Sequence, residues 1–83
     1  MTRLLPLPPA VDGEAEVGER VTVLDLTTAA VRDFRLVDEV AADGEVSVRT
    51  PLGSALLGRH VGDVVSVEDD GRLVPLEVVE IDG

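Results

Sequence analysis

One histidine, no cysteine and a few clustered carboxylates are all that this sequence offers to reaction chemistry. His60 stands alone, and a single imidazole with no neighbouring cysteine completes neither a metal-ligand set nor a nucleophilic triad, so it is read as a solvent-facing loop residue. The run Glu68-Asp69-Asp70-Gly71 gathers acids without the alternating spacing of a calcium loop; a hairpin tip is where solvated carboxylates belong. Lys, Asn, Gln, Tyr and Trp are also absent, which removes Schiff-base chemistry, tyrosine acid–base catalysis and amide-based recognition. The expectation is a protein without catalytic residues, metal or cofactor, working by contact.

The chain has 83 residues, room for one small domain. Hydrophobic residues make up 45% and aromatic residues 1%, because Phe34 stands alone, so any core must be aliphatic. Without cysteine, packing alone must hold the fold, which fits a reducing cytoplasm. Seventeen acidic residues against seven basic ones give a net charge of −10. That field repels phosphate backbones, and the seven arginines are spread singly along the chain, so sequence-specific nucleic-acid binding is not expected. No apolar run reaches the length of a membrane helix.

Residues 1–17 hold Pro6, Pro8 and Pro9 followed by Asp12-Gly13-Glu14-Ala15-Glu16, without strand or helix period, and are read as a flexible acidic arm. Pro6-Leu7-Pro8-Pro9 matches a PxxP ligand in form only. From Gly18 to residue 83 the texture is that of a folded domain. Arg20 to Leu26 alternates with period two, with Val21 and Val23 facing the core. Val31 to Val37 repeats the pattern, with Arg32, Phe34 and Leu36 on one face. Asp43-Gly44 signals a turn, and Glu45 to Arg49 reads as a third strand. Thr50-Pro51 reads as a helix start, threonine as N-cap and proline where a missing N–H costs nothing. Leu52, Leu56 and Leu57 give that helix an apolar stripe, and Gly58 ends it. Val64 to Glu68, a turn at Asp69-Asp70-Gly71-Arg72, and Leu73 to Ile81 complete five strands. Pro75 conflicts with a central strand, so an edge position or a bulge is expected there. The fold class is α+β: a twisted, mostly antiparallel sheet of about five strands with one short helix covering a face.

The block Thr50-Pro51-Leu52-Gly53-Ser54-Ala55-Leu56-Leu57-Gly58, followed by Val61-Gly62-Asp63 and a valine strand, closely resembles the carboxy-terminal domain of the bacterial Gre transcript-cleavage factors. Gly18-Glu19-Arg20-Val21-Thr22-Val23 and Leu76-Glu77-Val78-Val79-Glu80-Ile81 look like that family's first and last strands, so the resemblance runs from about Val17 to Ile81. It implies an FKBP-like fold and a cytoplasmic partner, RNA polymerase, met at the rim of the secondary channel. It also implies a contact surface at Arg49, Thr50, Pro51 and Leu52, where Arg49 departs from the acidic or small polar residue the family often has. The family's amino-terminal coiled coil, whose acidic tip helps bind catalytic magnesium, has no counterpart in these residues, so transcript cleavage is not expected of them. The FKBP-like fold alone does not license prolyl isomerisation, which needs an aromatic-lined pocket. The expected function is a monomeric polymerase-binding regulatory module. The alternative is an FKBP-like interaction or structural domain with a non-polymerase partner.

Overall fold

The computed structural model describes residues 13–82, in the order β1 (Arg20–Asp25), β2 (Val31–Val37), β3 (Glu45–Ser47), α1 (Pro51–Leu56), β4 (Val64–Asp69) and β5 (Arg72–Asp82). The strands form one sheet in the order β3-β2-β1-β5-β4. Three of the four pairings are antiparallel, and β2 with β3 is parallel, so the sheet is mixed and mostly antiparallel. The return from β2 to β3 is short because β3 has only three residues to align.

Register decides which side chains share the inner face. Val21 lies opposite Phe34 and Ile81, Val23 opposite Arg32 and Val78, and Val65 opposite Leu76. The helix packs against β3 and β4, over one end of that face. Val21, Val23, Leu36, Leu56 and Val78 are the largest fully buried side chains, an aliphatic core as the composition requires. Each removes apolar surface worth about 1.5–3 kcal/mol from water. The opposite face carries Arg20, Thr22, Asp33, Arg35, Glu77 and Glu80. There Arg20 Nη1 meets Asp33 Oδ2 at 3.2 Å across the β1–β2 pair.

Several sequence expectations are corrected. Glu45 to Arg49 was expected as one strand, but the ladder ends at Ser47. The Ser47 carbonyl accepts from the Thr50 N–H at 3.0 Å and its hydroxyl from the Arg49 N–H at 3.1 Å, so the backbone turns before another ladder rung can form. Pro75 is neither on an edge strand nor at the bulge, since β5 lies between β1 and β4 and the register shift in β5 faces Thr22 and Val23. Its carbonyl accepts from the Leu26 N–H at 3.0 Å, so its nitrogen also faces the β1 side, just past the last paired residue of β1. The missing donor therefore falls where the ladder is already ending. Leu57, expected on the buried stripe with Leu52 and Leu56, is 43% exposed whereas Leu56 is fully buried. The reason is that Leu57 is the C-cap, with extended backbone.

The arm expected over residues 1–17 lies, for residues 1–12, outside the described residues. Within 13–17, Ala15 is fully buried. Its N–H donates to the Arg59 carbonyl and its own carbonyl accepts from the Gly58 N–H, both at 2.8 Å. The packed domain therefore includes Ala15, upstream of the Gly18 where the strand pattern begins.

Candidate functional site

Three residues fix the helix start. Thr50 has extended backbone, and its hydroxyl accepts from the Gly53 N–H at 3.2 Å, the N-cap bond that satisfies one of the free donors of the first turn. The same hydroxyl donates to the Ser47 carbonyl at 2.6 Å, tying the cap to the end of β3. Gly53 makes this closeness possible, because a Cβ there would overlap the Ser47 carbonyl and lie 2.8 Å from the Val48 Cα. The chain thus leaves β3, turns and enters the helix with its first turn pressed on the strand end.

Thr50 and Pro51 are exposed, and Leu52 is half-buried. All three line a groove of about 320 Å³ between the helix start and the open end of the sheet's inner face. Val23, Phe34, Val74 and Leu76 supply apolar lining, and Asp25, Arg32, Glu68 and Asp69 bring charge. Arg49, expected with these residues, is not among the groove residues. It borders a separate shallow depression with Val40 and Ala41, and its Nε donates to the Asp38 carbonyl at 3.0 Å. Thr50 is the one residue common to both.

The sequence pattern puts Arg32 and Phe34 on one strand face with Leu36; their place in the groove agrees with that shared face but follows from no motif. Asp25 organises the turn after β1. Its carboxylate accepts from the Thr27 N–H at 2.8 Å and the Thr28 N–H at 3.2 Å, and Ala29 in that turn takes a left-handed backbone, φ 65°. The Thr27 bond is the main cause that holds the Asp25 carboxyl below its ordinary value, with Thr28 and Arg32 adding to it.

The groove's one aromatic side chain is Phe34, so it lacks the aromatic walls that hold a substrate proline. His60 is exposed and sits in a turn, its N–H donating to Asp63 Oδ2 at 2.9 Å. Asp70 and Gly71 form the tip of the β4–β5 hairpin, with φ of 57° and 80°, as a two-residue turn with both central residues left-handed requires. Among the described residues, no three His, Asp or Glu side chains are grouped to hold a metal ion. No helix among them is long and apolar enough to cross a membrane.

A mixed five-stranded sheet around one short capped helix defines an α+β domain of FKBP-like build. Residues 10–83 match the family model for the C-terminal region of the transcription elongation factors GreA and GreB. The chain belongs to that family. It is 39% identical over 71 residues to the transcription elongation factor GreA of Thermotoga neapolitana, covering 82% of this chain and 46% of that protein. Among solved structures, the Gfh1 protein of Thermus aquaticus superposes with a TM-score of 0.74 at 30% identity, over 83% of this chain and 48% of the other. The GreA/GreB elongation factor of Nitrosomonas europaea superposes with a TM-score of 0.72 at 25% identity, over 93% and 64%. The chain spans about half the length of the GreA relative it matches.

Proposed function

We propose that this domain docks on bacterial RNA polymerase near the secondary channel through its helix start, and that these 83 residues do not themselves stimulate transcript cleavage. The observation that carries the reading is the exposed Thr50-Pro51 shoulder, with Leu52 beside it, opening onto a groove of mixed apolar and charged lining in a domain of the Gre family. A rigid cap bonded to Ser47 holds the shoulder in one geometry, which lowers the ordering cost of association. A partner side chain entering the groove would meet apolar lining with charged groups beside it. Arg49 contributes on the far side of Thr50, as a second point of contact.

Binding of the full chain to purified bacterial core polymerase tests the docking reading. Saturable association, weakened by Pro51→Ala, is expected; no association, or equal association of the variant, overturns the site. Adding the chain with magnesium to a backtracked elongation complex tests the second part, and stimulated RNA cleavage would overturn it.

A further inference from the structure

β4 is an outer strand of the sheet, with β5 its one strand neighbour. Ser66 lies opposite Pro75, which has no N–H, so this pair is not hydrogen-bonded and the ladder bonds fall at Val65, Val67 and Asp69. The Val78 N–H donating to the Asp63 carbonyl at 2.8 Å sets the same odd-numbered parity. The backbone N–H and C=O groups of Val64, Ser66 and Glu68 therefore point away from β5. No backbone partner meets them among the described residues, and all three residues are exposed. Sheet edges are usually protected by shortness, proline, lysine, a bulge or a covering helix or loop; the helix packs against β4, yet Val64, Ser66 and Glu68 stay exposed. The β3 edge is three residues long, whereas β4 has six, in unbroken register with β5, and contains neither proline nor a basic residue.

Charge selects the occupant. Glu68 and Asp69 end the strand, Asp70 follows in the turn, and Glu77 lies opposite Val64. A second copy pairing antiparallel about Ser66 would set Asp63 against Asp69, between chains that each carry a net charge of −10. A basic segment turns the same acids into cross-strand attraction. We infer that β4 accepts an extended, basic segment of a partner protein as a sixth strand. Main-chain bonds form at Val64, Ser66 and Glu68, apolar residues lie beside Val65 and Val67, and Lys or Arg lies beside Glu68 and Asp69. The inference does not rest on polymerase docking at the helix start, although Glu68 and Asp69 also line the groove there; Ser66→Pro, outside that groove, separates the two.

The test is amide hydrogen exchange by NMR on the full chain, with the synthetic peptide acetyl-Lys-Val-Thr-Val-Arg-amide as probe. Without peptide, the Val64, Ser66 and Glu68 amides should exchange fast and those of Val65, Val67 and Asp69 slowly. With saturating peptide, the first three should slow by about tenfold or more. The same peptide N-methylated on alternate residues should not protect them. Ser66→Pro removes one outward N–H and no ladder bond, so it should weaken binding about tenfold with an unchanged melting temperature. The double variant Glu68→Lys, Asp69→Lys should lose binding without touching the backbone. Uniform or absent protection, equal binding of the N-methylated peptide, or protection at the same three amides that rises with protein concentration alone would each overturn the inference.

Discussion

Gly53 sits against Ser47 so closely that no side chain fits between helix and strand: a Cβ at residue 53 would overlap the Ser47 carbonyl and crowd the Val48 Cα. The obstacle is backbone, which cannot rotate away. In an open helix, exchanging glycine for alanine gains about 1 kcal/mol. Here the steric cost wins, and Gly53→Ala is expected to destabilise the domain by about 1–3 kcal/mol, measured by urea unfolding. Unchanged or raised stability would mean that helix and strand end separate freely.

Thr50 has two bonds to lose, one to the Gly53 N–H and one to the Ser47 carbonyl. Thr50→Ala should cost about 0.5–2 kcal/mol and Thr50→Ser much less, because serine keeps the capping oxygen. If both variants lose polymerase affinity while only the alanine loses stability, the threonine methyl itself touches the partner.

Pro51 and Leu56 separate contact from packing. Pro51 is exposed and Leu56 fully buried, so Leu56→Ala should cost about 2–5 kcal/mol of folding. Pro51→Ala should leave the melt nearly unchanged and weaken polymerase binding by about 1–2 kcal/mol. Leu57→Ala, at an exposed C-cap, should move stability by less than about 0.5 kcal/mol.

Asp25 gives a pH signature. Its carboxyl is held below its ordinary value of 3.8, chiefly by the Thr27 N–H, so it stabilises the fold fully above that value. The contribution fades as pH falls through the depressed folded-state value. Asp25→Asn keeps an accepting oxygen in the turn but cannot ionise. The stability difference between wild type and variant should be constant near neutrality and close as the solution becomes strongly acidic, as read by urea midpoints across the range.

Strands were legible where alternation was clean: Val21 and Val23 read inward and are buried, and the Asp70-Gly71 turn followed from dipeptide chemistry. The helix start was equally plain, because Thr-Pro encodes both cap and first turn. What stayed hidden depends on distant partners. Ser47 is the exception, since it ends its strand by local bonds, to the N–H groups of Arg49 and Thr50 two and three residues on, which the clean alternation of Glu45 to Arg49 masked. Pro75 reads as an edge residue unless it is known that β1 ends beside it. The groove joins residues from β1, β2, β4, β5 and the helix, so only Thr50, Pro51 and Leu52, which are contiguous, could be named together beforehand, and Arg49 was grouped with them by adjacency in sequence.

The two backbone bonds that fasten Ala15 to Gly58 and Arg59 also determine how the domain bears mechanical load. Tension applied to the chain ahead of residue 13 reaches these bonds before it reaches any strand. They join the exit of the helix, so the pull meets the segment after the last helical turn before it meets the β1–β5 ladder. A tether at that end would thus be sensed first as a tug on the element whose other end carries Thr50 and Pro51.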